Sequence, residues 1–171
     1  GADGLIAPMV NTATELQSLL QDVKYPPIGK RSFGVNRAQA YGSNFEGYVR
    51  DWNSNSIFIA QIESKSAVES IEKIISNPDL DGVMIGPYDL SGSLGVPGEK
   101  FHPLVKEAEL KVIETCKERG ISCGTQLSDF NSDSVKAALA MGYTFIIASS
   151  DLFVLDAWAN SAERVMQGFR K

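Results

Sequence analysis

The chain has 171 residues, of which 43% are hydrophobic and 22% are charged, and its formal net charge is −5. This length allows a buried core, and the acidic balance excludes the basic footprint of a nucleic-acid-binding protein. No window approaches the roughly 18 uninterrupted apolar residues of a membrane span, and no basic signal-peptide region precedes the first apolar run. We therefore expect a cytoplasmic protein that binds neither nucleic acid nor membrane.

The chain contains two cysteines, Cys116 and Cys123. Two cysteines in a chain this long do not form a disulfide framework, so we expect reduced, buried thiols. A catalytic thiol is the alternative. The single histidine, His102, stands in a His-Pro step before a predicted helix, which makes a thiol–imidazole pair the weaker hypothesis.

The first strand is predicted at residues 5–10, which are almost all apolar. Thr12 and Glu15 then have the spacing of a capping box, in which each side chain satisfies a free amide at the start of a helix. The following leucines give that helix one apolar face. Pro26 and Pro27 end it, because proline cannot continue a helix.

Residues 28–54 form a polar stretch with several glycines and scattered aromatic residues. We expect an excursion from the sheet with one short helix near residues 45–52. The functional alternative is a loop that lies over a site, since long loops are often functional.

The rest of the chain alternates short apolar runs with segments of helical period. A second capping box is predicted at Ser66–Glu69. Further strands are predicted at residues 56–63, 81–86, 121–127 and 143–148, and further helices at residues 103–119, 135–141 and 152–170.

Five strand–helix repeats predict an α/β fold with a parallel sheet and crossover helices. Periodicity alone does not decide between an open, doubly wound sheet and a closed barrel. The dinucleotide-binding pattern G-x-G-x-x-G does not follow the first strand, and the glycines before Lys100 miss the P-loop spacing. The sequence therefore gives no support to a nucleotide site.

Functional sites of parallel α/β folds form at the carboxyl ends of the strands. One predicted strand ends in Gln61-Ile62-Glu63, and the next ends in Gly86-Pro87-Tyr88-Asp89. Two carboxylates on neighbouring strand ends repel each other unless a cation or a proton lies between them. Oxygen ligands without nearby histidine or cysteine favour a hard cation such as Mg²⁺ or Mn²⁺.

Each carboxylate also has a structural interpretation. Glu63 could stabilise the positive end of the helix that follows it, and Asp89 could form a turn or cap a helix. The Gly86-Pro87 pair forces a sharp exit from the strand, so we expect the amides of Tyr88 and Asp89 to face an anion.

Several segments resemble the HpcH/HpaI aldolase family, in the order in which the family has them. Residues 1–10 are similar to its fourth-strand segment, and residues 25–34 to the stretch that follows. Gln61-Ile62-Glu63 resembles its Q-x-E metal motif. The G-P-x-D-L-S motif matches residues 85–91, and Leu94-Gly95 and His102-Pro103 continue the match.

The resemblance implies a (β/α)8 TIM barrel, of which residues 1–171 are the C-terminal part of the single domain. A whole barrel has about 250 residues, so this chain is expected to supply about the last five β/α units, with the first three absent. Family members are class II pyruvate aldolases. The implied activity is a carbon–carbon lyase that cleaves 4-hydroxy-2-oxo acids to pyruvate and an aldehyde through a metal-stabilised pyruvate enolate.

The resemblance also implies roles for individual residues. Glu63 and Asp89 would hold one divalent metal, Mg²⁺, Mn²⁺ or Co²⁺. The substrate-binding residues would be Gln61, which supports the metal ligands, Gly86, Pro87, and Tyr88 and Asp89 through their amides.

The arginine and histidine that the family uses for charge stabilisation and proton transfer belong to the absent strands. We therefore assign no catalytic residue beyond the metal site, and we expect this chain alone to be inactive. Two alternatives remain open: a citrate-lyase-β-like or decarboxylating relative with the same carboxylates, and a non-catalytic barrel fragment that acts as an assembly module.

Residues 152–170 carry more apolar side chains than one barrel helix normally hides. Together with the resemblance, this predicts a homo-oligomer, a dimer or hexamer, assembled through the C-terminal helix. The alternative is that these residues cover the wall of their own barrel.

Overall fold

The computed structural model describes residues 1–169. Its five strands form one parallel sheet in which each strand pairs with the next along the chain. The strands are β1 (Gly4–Ala7), β2 (Ile57–Ile62), β3 (Gly82–Ile85), β4 (Ser122–Leu127) and β5 (Phe145–Ala148).

Helices follow each strand, as crossover connections between parallel strands require. They are α1 (Ala13–Val23), α2 (Phe45–Asn55), α3 (Lys65–Glu69), α4 (Ile71–Ile74), α5 (Pro87–Ser93), α6 (Pro103–Arg119), α7 (Ser132–Met141) and α8 (Asp151–Gln167). A 3-10 segment spans Arg37–Gly42.

One face of the sheet packs against the helices and forms the core. In β2, Phe58, Ala60 and Ile62 are buried in that core, whereas Ile57 on the other face is 51% exposed. β1 and β5 are the two edges of the sheet. The strand order and the one-sided helical layer are those of an arc of a (β/α) barrel, which confirms the predicted fold class.

The predicted boundaries at α1, α6 and α7 are confirmed to within a few residues. Thr12 accepts from the amide of Glu15, and Glu15 accepts from the amide of Thr12, as the capping box requires. Gly120 and Gly142 follow α6 and α7 with φ of 68° and 104°, the left-handed conformation that glycine adopts most readily. The buried, free thiols of Cys116 and Cys123 also agree with the sequence.

Two local predictions were wrong. The cap of α3 is Ser64, not Ser66, because the Ser64 hydroxyl accepts from the amide of Ala67. Residues 87–93, for which the sequence predicts no helix, form the helix α5, with Pro87 in its first turn. Proline's fixed φ suits that position, where its missing N–H would have no helical partner.

The excursion between α1 and β2 does not lie over the carboxyl ends of the strands. The Trp52 indole donates to the carbonyl of Val23 at 2.8 Å, and the buried Lys24 ammonium donates to the carbonyls of Asn53 and Ser56. These contacts fix the excursion at the end of α1 and the start of β2. Within residues 1–169, the excursion therefore does not cover the carboxylate pair.

α8 buries none of its side chains against the described residues. Leu152 and Trp158 are 72% and 71% exposed. The helix begins one residue before its predicted start and ends at Gln167, before its predicted end; residue 170 lies outside the described residues. No helix in residues 1–169 is long and apolar enough to cross a membrane.

Candidate metal centre

The pairing of β2 with β3 brings the two predicted carboxylate segments together. Ile62 is the register partner of Ile85, and the Gly86 amide donates to the carbonyl of Ile62 at 3.1 Å. Glu63 and Gly86 therefore stand side by side, one residue beyond the paired ends of two adjacent strands.

The Glu63 carboxylate is held from two sides. Its Oε1 accepts from the backbone amide of Met9 at 2.7 Å, and its Oε2 accepts from the Gln61 amide nitrogen at 2.8 Å. The residue is only 4% exposed. Gln61 thus orients the carboxylate, and Met9 contributes a second donor from the segment after β1.

Gly86 is required by the close packing around Glu63. A Cβ atom at this position would lie 2.7 Å from Glu63 Oε2 and 3.0 Å from Gln61 Nε2. The absence of a side chain at Gly86 therefore leaves room for the carboxylate.

Asp89 lies in the first turn of α5 and is exposed to solvent. Gly86, not Asp89, is the N-cap of that helix, so the capping interpretation of Asp89 is wrong. Its carboxylate forms no hydrogen bond or ion pair within residues 1–169 and is free to take an external ligand.

The interpretation of Glu63 as a partner of its own helix is also not supported. Its carboxylate contacts the end of β1 and the side chain of Gln61, and the amides of α3 take Ser64 as their cap. The carboxylate is held across the sheet, where a buried charge has little solvent to stabilise it.

The amides of Tyr88 and Asp89 have no acceptor in the described part of the chain. This follows from their position in the first turn of α5, where backbone N–H groups have no helical partner. The two free backbone amides of Tyr88 and Asp89 therefore lie close to the Asp89 carboxylate.

The electrostatics of the pair suit a cation. Burial raises the pKa of Glu63, and the negative charge of Asp89 raises it further, while the hydrogen bonds from Met9 and Gln61 oppose the increase. Among residues 1–169, neither carboxylate has an ion-pair partner. A divalent cation between them would relieve both the repulsion and the cost of burying Glu63.

The number of donors also fits a hard cation. No group of three or more His, Cys, Asp or Glu side chains comes together in residues 1–169. Mg²⁺ typically takes one or two protein carboxylates and completes its shell with water or substrate oxygens. One buried and one exposed carboxylate at the ends of adjacent strands match that number of ligands.

A cavity of about 480 Å³ adjoins the pair. Gln61 and Asp89 line it, and Glu63 lies behind the Gln61 amide that contacts it. The cavity continues over the ends of β3 and β4 to residues of α6 and α7. Its volume is within the range of roughly 300–1,000 Å³ that is usual for small-molecule sites.

Other polar residues of the sequence have structural roles. The His102 ring caps α6 by accepting from the amide of Leu104 at 3.2 Å. The Arg31 guanidinium lies 4.7 Å from the ring centroid of Tyr25 and 4.3 Å from that of Trp52, within the excursion. Neither residue lies beside the carboxylate pair.

Sequence reasoning missed two residues near the pair. Met9 reaches Glu63 through its backbone amide and has a φ of 56°, which no sequence pattern signals for a non-glycine residue. Lys100 lines the cavity. It stands in an irregular connection that has no periodic pattern to reveal its position.

Comparison with known proteins identifies relatives of this chain by sequence and by fold. The family model "HpcH/HpaI aldolase/citrate lyase" matches residues 1–156. The hydroxypyruvate/pyruvate aldolase of Rhizorhabdus wittichii is 38% identical over 165 residues, which cover 93% of this chain and 62% of that protein. The 2-keto-3-deoxy-L-rhamnonate aldolase of Salmonella paratyphi B is 36% identical and matched over 88% of this chain and 56% of its own length.

A solved structure gives the same result for the fold. The HpcH/HpaI aldolase/citrate lyase family protein of Burkholderia cenocepacia superposes with a TM-score of 0.88 at 28% identity, over 98% of this chain and 66% of that one. The chain thus spans about 60% of the length of the curated relatives it matches. By sequence and by fold, this chain belongs to the HpcH/HpaI aldolase/citrate lyase family.

Proposed function

We propose that this chain is the metal-binding part of a class II aldolase, which cleaves 4-hydroxy-2-oxo acids to pyruvate and an aldehyde. The observation that carries the proposal is the Glu63–Asp89 pair: one buried and one exposed carboxylate on adjacent strand ends, with no ion-pair partner in residues 1–169. The relatives named as hydroxypyruvate/pyruvate and 2-keto-3-deoxy-L-rhamnonate aldolases support this reaction class.

Glu63 and Asp89 would hold the divalent cation, Mg²⁺, Mn²⁺ or Co²⁺. When bound, such a cation acts as a Lewis acid on the carbonyl of a 2-oxo acid. Gln61 and the Met9 amide keep the Glu63 carboxylate in one orientation. Gly86 and Pro87 start α5 directly after β3, which leaves the amides of Tyr88 and Asp89 free to bind the substrate carboxylate.

The proposal extends to the rest of the barrel. β1 and β5 have unpaired edges, and a barrel closes only when its first and last strands pair. We propose that three further β/α units precede residue 1 in the active enzyme and close the barrel. They would also supply the arginine and histidine that the family resemblance implies, since His102 caps a helix.

The proposal includes self-association through α8. No side chain of α8 is buried against residues 1–169. Several of its large apolar side chains are exposed, which is typical of an interaction site. A second copy of the protein is the partner that the family resemblance implies, in a dimer or hexamer.

The test is an assay of pyruvate release, carried out on the full-length protein that contains this chain. The protein is stripped with a chelator and tested with 4-hydroxy-2-oxo acids, with and without Mn²⁺, Mg²⁺ or Co²⁺. We expect turnover that depends on the added metal. Turnover that is unchanged in the presence of chelator would contradict the metal-dependent mechanism, and absence of turnover with every substrate and metal would contradict the reaction class.

A further inference from the structure

Asn11 is a half-buried residue between β1 and α1 that makes hydrogen bonds in three directions. Its Nδ2 donates to the carbonyl of Met9 at 2.8 Å. Its Oδ1 accepts from the hydroxyl of Ser64 and, at 3.3 Å, from that of Ser66. Its backbone amide donates to the Glu15 carboxylate at 2.7 Å, which fixes Asn11 at the start of α1.

These contacts lie on both sides of the Glu63 carboxylate. The amide of Met9 donates to Glu63 Oε1 at 2.7 Å. Ser64, the residue directly after Glu63, caps α3 by accepting from the amide of Ala67 at 3.1 Å. Asn11 therefore joins the donor that holds the carboxylate to the residue that follows it in the chain.

Met9 has a backbone conformation that its surroundings must impose. Its φ of 56° is in the left-handed region, which a methionine rarely adopts. Its side chain is not the cause, because the residue is 54% exposed. The hydrogen bonds of its peptide groups remain: the Met9 amide binds Glu63, the Met9 carbonyl binds Asn11, and the Val10 amide donates to the carbonyl of Gln61 at 3.3 Å.

We propose that Asn11 is a positioning residue of the metal centre. It holds Met9 in the left-handed conformation, so that the Met9 amide points at Glu63 and keeps the carboxylate in the orientation that receives the cation. This inference rests on the proposed function, which assigns Glu63 to a divalent cation.

The position requires a side chain with one donor and one acceptor, which the asparagine amide supplies. In the opposite orientation of the amide, Oδ1 of Asn11 would face the carbonyl oxygen of Met9. An aspartate lacks the donor altogether and would place two oxygens against each other at this contact. Asparagine and aspartate therefore differ at the contact with Met9, whereas both can accept from the hydroxyl of Ser64.

The experiment measures Mn²⁺ affinity by calorimetry, on the full-length protein that contains this chain, in Asn11→Ala and Asn11→Asp. We expect affinity to fall about tenfold in both, the lower end of the roughly 10–100-fold effect of residues that support metal ligands. Asn11→Asp is the sharper variant. The negative charge that it adds near the site would by itself attract the cation, so a loss of affinity must come from the lost donor.

Thr12→Ala is the matched control for a general loss of stability. The Thr12 hydroxyl accepts from the amide of Glu15 at 3.1 Å, and removal of such a helix cap lowers stability. This variant should have a lower Tm and an Mn²⁺ affinity within about twofold of that of the unaltered protein.

A second measurement follows the Met9 amide without any metal. Its exchange with solvent deuterium is recorded by NMR on protein labelled with ¹⁵N-methionine, and its signal is assigned by its absence from Met9→Leu. Exchange should be slow in the unaltered protein and in Thr12→Ala. It should be at least about tenfold faster in Asn11→Asp, because the amide is no longer held against Glu63.

The outcomes separate this inference from the proposed function. If both Asn11 variants behave as Thr12→Ala does, or if neither folds, Asn11 only stabilises the fold and the positioning role is wrong. Faster exchange of the Met9 amide with unchanged Mn²⁺ affinity would also contradict it. If the unaltered protein binds no Mn²⁺, the proposed function fails, and the exchange of the Met9 amide still decides whether Asn11 positions that donor.

Discussion

At the scale of single residues, the position of Glu63 depends on the small size of Gly86. The Glu63 carboxylate lies so close that a Cβ atom of residue 86 would come within 2.7 Å of its Oε2. Because protein interiors are close-packed, even one added methyl group must displace its neighbours. The neighbours here are the carboxylate and the Gln61 amide that orients it.

We expect Gly86→Ala to weaken metal binding and to lower stability. The new methyl group would contact Glu63 Oε2 at 2.7 Å, and overpacking of this kind typically costs about 1–3 kcal/mol. Calorimetric titration with Mn²⁺ should show at least about a tenfold loss of affinity, and thermal unfolding should show a lower Tm.

Gly92→Ala is the matched control, since a Cβ atom there has no neighbour within 4 Å. Gly92 lies inside α5, where alanine is favoured over glycine by about 0.5–1 kcal/mol. This variant should be slightly more stable and bind Mn²⁺ normally. Unchanged Mn²⁺ affinity in Gly86→Ala would contradict the packing argument.

The two carboxylates could be located from the sequence because the end of each apolar run marks the end of a strand. Glu63 follows a nearly continuous apolar run, and Asp89 follows another after a Gly-Pro step. The donor from Met9 could not be located, because it is a backbone amide placed by an unusual φ of 56°. The position of Lys100 depends on the path of a loop, which carries no periodic signal.

At the scale of secondary-structure elements, the alternation of short apolar runs with segments of helical period predicted all five strands and most helices. It failed at α5, because seven residues that include a proline and a glycine show no helical period. It also placed the cap of α3 two residues late, since Ser64 and Ser66 are both suitable capping residues. Only the folded backbone decides between two serines so close together.

α8 is the element whose side chains are least covered. We expect the double substitution Leu155→Asp and Trp158→Asp to reduce the size of the oligomer, because it places charges on side chains that are 62% and 71% exposed in this chain. Light scattering at micromolar concentration measures the change in mass. Asn160→Asp, which adds a charge to a position of α8 that is already polar, should leave the mass unchanged.

A protein that is monomeric before any substitution would contradict self-association. An oligomer whose mass is unchanged by the double substitution would show that α8 packs elsewhere, for example against its own barrel. Either result would remove α8 from the proposed interface.

At the scale of the whole molecule, the sheet is an open arc. Its edges β1 and β5 expose unpaired backbone groups, which invite association with other strands. The fold class was predictable because five β/α repeats leave few topologies. Closure was not predictable from periodicity, since open sheets and barrels have the same alternation, and the family resemblance was needed to favour a barrel.

We expect residues 1–171 alone to have little aldolase activity. Loss of one charge-stabilising group commonly costs on the order of 10²–10³ in rate, and the proposal places such groups on strands outside this chain. Pyruvate release from a 4-hydroxy-2-oxo acid should be compared between this chain and the longest product that contains it. If the two rates lie within about tenfold of each other, their activation free energies differ by no more than about 1.4 kcal/mol. That result would show that the additional strands are dispensable.

The most direct test of the metal centre is calorimetric titration of Mn²⁺ into the chelator-treated protein and into Glu63→Gln and Asp89→Asn. Glu72→Gln, which removes an exposed carboxylate of α4, is the control. A glutamine at residue 63 can still accept from the Met9 amide, so the fold should persist, which thermal unfolding verifies. We predict one site in the unaltered protein and in Glu72→Gln, with affinity reduced at least about tenfold in the other two variants. Equal affinity in Glu63→Gln and the unaltered protein would contradict the assignment of Glu63 and Asp89 to a divalent cation.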